Sequence, residues 1–116
     1  MTNAAGTKPL TSSVFYILLA LTDADRHGLG IGDEIRARTG GVADLGPGTL
    51  YTTLARMLKR GLVQTSEAPD AADDPRRRYY RITPLGRREL QRESARLAVV
   101  MSAARDKGLL DGRGDS

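Results

Sequence analysis

Apolar residues recur at intervals of three and four in four stretches of the chain, as they do on one face of an α-helix. These stretches predict helices over 11–21, 27–39, 47–60 and 84–107. Two stretches between the third and fourth helices, 62–67 and 77–83, carry β-branched and aromatic residues, which favour strands. The expected fold is therefore mainly α with a small β-hairpin that has a long tip. Residues 42–45 are a further candidate for a short strand.

Residues that favour helix ends support these boundaries. Thr11 or Ser12 can cap the first helix, and Thr83 precedes a proline at the start of the fourth. In the third helix, Pro47 suits the first turn, and the hydroxyl of Thr49 can accept hydrogen bonds from free backbone N–H groups there. Three of the four predicted helices thus have a start signal in the sequence.

The second helix begins beside three glycines, at positions 28, 30 and 32. Each glycine inside a helix costs about 1 kcal/mol relative to alanine. Either the helix begins near Ile31, or the glycines permit close approach of another part of the chain. His27 precedes them and is the only histidine. No second metal ligand stands at suitable spacing, so we expect His27 to be a structural residue at the helix start, and no bound metal.

The third helix has the clearest division into two faces. At about 100° per residue, Leu50, Leu54 and Met57 share one face. Gly61 follows the helix and suits a left-handed C-cap. The opposite face carries hydroxyl groups and cations, on Thr49, Thr52, Arg56 and Lys59. Base edges and phosphates accept hydrogen bonds from such groups, so this face is a candidate nucleic-acid contact, with a solvated helix surface as the alternative.

Charge is unevenly distributed around the predicted hairpin. The net charge of +4 suggests an anionic partner without naming it. Six arginines and no acids lie between positions 76 and 88, whereas 67–74 is acidic. A solvated run of charge is the alternative for the arginines. The acids would be repelled by DNA, so we expect the tip of the hairpin to point away from it or to be mobile.

Composition places the chain among small single-domain proteins. The chain has 116 residues, no cysteine and no apolar run long enough to span a bilayer. The first residues lack the pattern of a signal peptide, so we expect a cytoplasmic protein with no membrane partner. No catalytic set of Ser, His, Cys or Asp is evident, and the glycines at 28–32 do not follow a predicted strand. We therefore expect neither an enzyme nor a cofactor.

The fourth helix carries a repeat that is typical of a helix–helix seam. Leu90, Leu97 and Ala104 are spaced by seven, with Val100 and Met101 between them. One small domain cannot cover so long an apolar stripe, which predicts a homodimer. The alternative is packing on the helix's own domain.

The domain assignment is thus a tail over 1–9, a DNA-binding domain over 10–83, a dimerisation helix over 84–107 and a tail over 108–116, with both tails disordered.

Three helices followed by a hairpin is the order of a winged helix-turn-helix. In that fold the third helix enters the major groove of DNA and the second braces it against the backbone. The hairpin is the wing, whose arginines would reach phosphates or a flanking minor groove. The wing arginines are Arg76, Arg77 and Arg78.

Two motifs make the chain resemble the PadR family of bacterial transcriptional regulators. One is LGPGTLY at 45–51 and the other is RRYYRITP at 77–84, followed by Gly86. The shorter segments at 17–21, 27–28, 54–58 and 61–63 also match, so the resemblance covers about residues 10–90. With one C-terminal helix, the chain is similar to the shorter subgroup of that family.

The resemblance implies a dimeric DNA-binding regulator, usually a repressor that a small effector releases from a pseudo-palindromic operator. It implies DNA contacts by Thr49, Tyr51 and Thr52 and by two of the wing cations, Arg77 and Arg78. The implied dimer joins the C-terminal helix to the first helix, which adds Val14 and Leu18 to the seam residues. An effector pocket, if present, would use Phe15, Tyr16 and Met101, although we favour ordinary core packing for these residues.

The chain departs from the family pattern in two places. Leu29 and Gly30 stand where the family often has a tyrosine and a larger residue, and Thr52 stands where it often has proline. A second hypothesis is a winged-helix protein-interaction module that never binds DNA, which the acidic tip favours slightly. Salt dependence separates the two hypotheses, because counterion release makes DNA affinity fall steeply as salt increases.

Overall fold

The computed structural model describes residues 8–69, 74 and 76–110, and its order of elements matches the predicted one except that a short strand is added before the second helix and the candidate strand at 42–45 does not form. The predicted terminal tails fall largely outside these residues. The elements are α1 (Ser12–Ala20), β1 (Arg26–His27), α2 (Gly28–Arg38), α3 (Pro47–Arg60), β2 (Val63–Ser66), β3 (Tyr79–Ile82) and α4 (Pro84–Asp106). The fold is mainly helical with a small antiparallel sheet and a long C-terminal helix, as predicted.

The core lies where α1, α2 and α3 pack against one another and against the sheet. Its largest fully buried side chains are Ile17, Leu18, Ile31, Leu54, Met57 and Leu62. They come from all three helices and from the turn after α3, so the apolar face of each helix is covered by the other two. Burial of these side chains is the main stabilising contribution to the three-helix unit.

Three helices begin with a side-chain cap. The Thr11 hydroxyl accepts a hydrogen bond from the Val14 N–H at 3.3 Å, and the Thr83 hydroxyl accepts one from the Gly86 N–H at 3.0 Å. His27 Nδ1 accepts from the Gly30 N–H at 3.1 Å, which confirms the predicted structural role at the start of α2. In all three the acceptor satisfies a backbone donor that the helix itself leaves unpaired.

The prediction that Thr49 caps α3 is wrong. Gly46 is the N-cap of α3 and makes no side-chain cap bond, while Pro47 occupies the first turn. Thr49 therefore lies inside the helix, beyond the capping position, and its side chain is exposed. The end of α3 is as predicted, because Gly61 adopts the left-handed conformation with a φ of 75°.

The glycines of α2 lie within the helix, which begins at Gly28 and not near Ile31. A Cβ atom on Gly28 would lie 2.2 Å from the Tyr51 hydroxyl oxygen, so the start of α2 and the ring of Tyr51 are in close contact. The second of the two alternatives for these glycines therefore holds at Gly28. Any side chain at position 28 would displace the ring, so glycine is what allows Tyr51 to lie against the start of α2.

The sheet has three antiparallel strands in the order β1-β3-β2. β2 and β3 form the predicted hairpin, with Val63 opposite Ile82, and β1 adds His27 opposite Tyr79. The predicted short strand at 42–45 is wrong. Val42 is 88% exposed, and the Ala43 N–H donates to the Thr39 hydroxyl at 3.0 Å, so the segment is held by a side chain and not by a neighbouring strand.

The start of α4 is fixed to the end of α3. The Thr83 hydroxyl donates to the Gly61 carbonyl oxygen at 2.6 Å, and the Thr83 N–H donates to the Leu62 carbonyl oxygen at 3.1 Å. A Cβ atom on Gly86 would lie only 2.2 Å from that same Leu62 oxygen. The first turns of α4 therefore approach the backbone more closely than any residue but glycine allows, and the helix then continues across α1.

Three side chains predicted to line the dimer seam lie in the protomer's own core. Val14 and Leu90 are each 5% exposed and Leu18 is fully buried. They are covered because α1 packs against α2, α3 and the first half of α4. For these three residues the alternative of packing on the same domain holds.

Candidate nucleic-acid interface

The two faces of α3 are separated as the sequence predicts. Leu50, Leu54 and Met57 are buried, and Thr53 joins them on the inner face. The predicted contact residues are all exposed, namely Thr49, Tyr51, Thr52, Arg56 and Lys59. The outer face of α3 thus offers hydroxyl, phenol and cationic groups on a helix whose other side is held by the core.

Most of these groups surround one shallow depression on the protein surface. It is open to solvent and has a volume of about 450 Å³. Its lining side chains are Tyr51, Thr52, Ala55, Arg56 and Lys59. The small side chain of Ala55 forms its floor, with the hydroxyl and phenol groups toward the start of α3 and the two cations toward its end.

Tyr51 is held against the neighbouring helix. Its phenol is 46% exposed, while its hydroxyl end contacts the backbone of Gly28. The ring therefore lies between the outer face of α3 and the start of α2. The need for a glycine at position 28 is the sequence signal for this contact, although the identity of the approaching residue has no local signature.

The three wing arginines differ in their surroundings. Arg76 pairs with Asp74, whose carboxylate accepts from the Arg76 backbone N–H at 3.0 Å and from its Nε at 3.2 Å. These bonds lower the pKa of Asp74. Arg77 lies with its Nη1 atom 3.0 Å from Nε2 of His27. Arg78 is exposed. Pairing with Asp74 reduces the field of Arg76, so Arg77 and Arg78 are the stronger candidates for phosphate contacts.

The acidic part of the wing is only partly described. Asp70 and Asp73 lie outside the described residues, and so does the predicted position of the tip relative to DNA. Asp74 is described, and it turns toward Arg76 instead of away from the arginines. One acid of the wing therefore neutralises one of its cations.

A further arginine of the basic run has a structural partner that the sequence does not reveal. Arg81 makes a two-pronged contact with Asp25, with Nη2 at 2.9 Å and Nε at 3.2 Å from the carboxylate. Hydrogen bonding and charge attraction raise the pKa of Arg81 and lower that of Asp25. The pair joins β3 to the segment before β1. The two residues are far apart in the sequence, so no local pattern predicts this pair.

The remaining seam residues lie on the half of α4 that extends beyond the domain. Leu97 and Ala104 are half-buried, whereas Val100 and Met101 are 44% and 43% exposed. Because they are spaced by three and four, these four residues form one stripe, which we call the distal stripe of α4.

One of the predicted effector-pocket residues, Tyr16, lines a cavity. Phe15 and Tyr16 are half-buried and meet edge to face, with ring centroids 6.1 Å apart. Tyr16 lines a cavity of about 290 Å³ between α1 and α2, with apolar walls from Leu19 and Ile35. Phe15 and Met101 are not among its lining residues.

Within 8–69, 74 and 76–110, no group of three or more His, Cys, Asp or Glu side chains is placed to hold a metal ion. In the same part of the chain, no helix combines the length and apolar character needed to cross a membrane.

A helix pair with an exposed polar second helix, followed by a basic hairpin, defines a winged helix-turn-helix protein. Comparison with known proteins agrees. The family model described as "Transcriptional regulator PadR-like family" matches residues 17–92. A protein of Lysinibacillus sphaericus is 33% identical over 88 residues, which is 73% of this chain and 80% of that protein. The chain therefore belongs to the PadR-like family of transcriptional regulators.

Solved structures share the fold. A PadR family transcription regulator from Clostridium difficile has a TM-score of 0.72 and 23% identity, covering 83% of this chain and 97% of that one. Bacillus subtilis PadR in complex with operator DNA has a TM-score of 0.57 and 18% identity, covering 67% of this chain and 44% of that one.

Proposed function

We propose that this protein is a homodimeric, sequence-specific DNA-binding repressor that a small-molecule effector releases from its operator. The outer face of α3 would enter the major groove. The wing arginines would contact phosphates beside it. Two protomers related by a two-fold axis would read half-sites about 34 Å apart.

The observation that carries this proposal is the outer face of α3. Its exposed groups can donate hydrogen bonds to DNA. The hydroxyls and Arg56 can donate to base edges, and Lys59 can donate to a phosphate. The buried Leu54 and Met57 hold the helix in place from behind. A rigid helix with exposed donors needs little rearrangement to bind. The operator complex of Bacillus subtilis PadR supports the same use of the shared fold.

The distal stripe of α4 supports the dimer. Val100 and Met101 expose apolar surface that a second copy would cover, at a gain of about 25 cal/mol per Å² buried. A two-fold interface uses the same patch on both protomers, which suits a stripe along one helix. A dimer formed through the distal stripe would contain two α3 helices.

The cavity beside Tyr16 supports the effector part of the proposal. Leu19 and Ile35 give it apolar walls, while Glu34 and Arg38 bring charged groups to its lining. A small amphiphilic molecule would fit this combination of surfaces. Because the cavity lies between α1 and α2, a bound molecule would contact α2, the helix that braces α3.

The test is selection of binding sites from random duplexes, followed by affinity measurements over a range of salt. We expect a pseudo-palindrome and a steep linear fall of log affinity with log salt. Arg77→Ala should weaken binding to all DNA sequences alike. It should also reduce the slope of log affinity against log salt by about 0.9, the value for one phosphate contact. The control is Arg105→Ala, which removes an equal charge from the far end of α4.

Each outcome of this test is informative. A changed base preference in Arg77→Ala would contradict the wing assignment. Equal losses in both variants would mean that only net charge matters. A folded protein that recovers no site, with a flat salt response, would favour the protein-interaction module instead.

A further inference from the structure

The contact between His27 and Arg77 joins the start of α2 to the wing. The two nitrogen atoms, His27 Nε2 and Arg77 Nη1, lie 3.0 Å apart. The imidazole is held on two other sides. Its Nδ1 caps α2 by accepting from the Gly30 N–H, and the ring of Tyr79 meets it edge-on at 5.3 Å. The ring therefore has a fixed orientation with Nε2 directed at the wing.

The cap determines which nitrogen of His27 carries a proton. Nδ1 accepts a hydrogen bond, so it has no proton, and the proton of a neutral imidazole must be on Nε2. A guanidinium has only donors. The two groups at 3.0 Å are consequently both donors, and neither satisfies the other. Exchanging the tautomer would give Arg77 an acceptor but would set two donors against each other at the cap.

Two converging donors without an acceptor between them suit an anionic oxygen. Among the described residues, Arg77 forms no ion pair with a carboxylate, whereas Arg76 and Arg81 both do. Asp74 attracts Arg77 without forming an ion pair with it, so among the described residues no carboxylate competes with a ligand that Arg77 would share with His27. A phosphate oxygen would accept from both groups and replace two facing donors with two charge-assisted hydrogen bonds.

We propose that His27 Nε2–H and Arg77 together bind one DNA backbone phosphate. This inference rests on the proposed function, since it adds a contact at the same interface. The position agrees, because the helix that follows His27 is the one that crosses the DNA backbone in a helix-turn-helix, while Arg77 approaches from the wing. His27 thereby connects the two DNA-contacting parts of one protomer through a single ligand.

The tautomer is tested first, on the free protein. His27 is the only histidine, so its ring signals in a long-range ¹H–¹⁵N NMR spectrum need no assignment among several residues. We expect the form with the proton on Nε2. A ring protonated on Nδ1 instead would overturn the proposal, because Nε2 would then be an acceptor for Arg77 and His27 would have no Nε2–H to donate to a phosphate.

The second test separates phosphate binding from helix capping. In His27→Asn the shorter side chain still caps α2 but does not reach the wing. We expect an affinity about tenfold lower for operator and random duplex alike, as for the loss of one hydrogen bond to a charged acceptor. The salt slope should be unchanged, because a neutral group releases no counterion. His27→Ser, with another capping side chain, should behave in the same way.

A double-mutant cycle tests the shared ligand. If His27 and Arg77 bind the same phosphate, the combined loss in His27→Asn/Arg77→Ala is smaller than the product of the single losses. Losses that multiply would mean separate phosphates and would overturn the proposal. Unchanged affinity in a folded His27→Asn would do the same. Failure of the unaltered protein to bind any duplex would instead overturn the proposed function itself.

Discussion

The two halves of α4, before and after Ala95, lie in different surroundings although one apolar repeat runs through both. In the first half, Leu90 is 5% exposed and packs in the domain core. In the second half, Val100 and Met101 are 44% and 43% exposed. Leu90 and Leu97 are seven residues apart and therefore face nearly the same direction. The same stripe first meets α1 and then continues past the edge of the domain.

This difference shows what a seven-residue repeat does and does not specify. The repeat predicts that one side of the helix is buried along its whole length. It does not identify the element that packs against that side. In α4 the cover changes partway along the helix, from the protomer's own α1 to, in the proposed dimer, a second copy. Substitutions in the two halves should therefore have different consequences.

The largest effect should come from the distal half. Leu97→Glu places a charge in the proposed seam, so we expect monomers, measured as a halved mass by light scattering. Loss of bivalent binding should lower operator affinity about 1,000-fold. Val99→Glu is the matched control. Val99 is 71% exposed and lies about 200° around the helix from Leu97, so the dimer should persist. An unchanged mass for Leu97→Glu would contradict the dimer assignment.

A smaller effect, on folding and not on assembly, should come from the proximal half. Leu90→Ala removes a buried side chain, which should lower the free energy of unfolding by about 3 kcal/mol. Urea denaturation measures this change. Val99→Ala is the comparison, since its side chain is 71% exposed and lies outside the distal stripe. Equal losses in the two variants would show that the halves do not differ as proposed.

The close approach at the start of α4 should give the next effect in size. Gly86→Ala brings a Cβ atom against the Leu62 carbonyl oxygen, where 2.2 Å is available. We expect a loss of about 2 kcal/mol, as for overpacking of a core. Gly48→Ala is the control, because its added Cβ would meet nothing within 4 Å apart from the adjoining residues and the backbone of its own helix. Similar stabilities for both variants would mean that α4 can shift away from Leu62 at little cost.

The smallest effect concerns Glu93, the buried carboxylate between the two halves. Hydrogen bonds from Arg96, at 2.7 and 2.9 Å, lower the pKa of Glu93, an effect that burial partly offsets. With a lower pKa in the folded state, its stabilising contribution is complete above the unfolded pKa and is lost as the pH falls through the folded pKa.

Glu93→Gln should therefore differ most from the unaltered protein near neutral pH and least in acid. Urea denaturation at a series of pH values measures this difference. Parallel stability curves for the two proteins would contradict the assigned role of the Glu93–Arg96 pair.

Local signals account for most of what the sequence predicted. Proline or a capping residue marks the start of α3 and α4, and Gly61 marks the end of α3. The outer face of α3 follows from helical periodicity alone. These features depend on a few neighbouring residues, so they can be recognised without the fold.

The features that sequence reasoning missed depend on distant partners. β1 has two residues, too few to show alternation, and exists because β3 offers it a partner. The Asp25–Arg81 pair and the contact of Tyr51 with Gly28 likewise join separate parts of the chain. The error over Leu90 has the same cause, since periodicity identifies a covered face without identifying the covering element.

The hydrogen bonds of Thr83 fix the start of α4 to the end of α3, and this junction is a pivot about which α4 could tilt. Thr83 binds the backbone at Gly61 and Leu62 and also caps α4. From this pivot, α4 extends about 35 Å at the standard helical rise. A tilt of about 10° at the pivot would move the far end by about 6 Å at that length. In a dimer joined through the far ends of its two α4 helices, such a tilt would instead change the distance between the two α3 helices. That distance would then match, or no longer match, the spacing of successive turns of DNA.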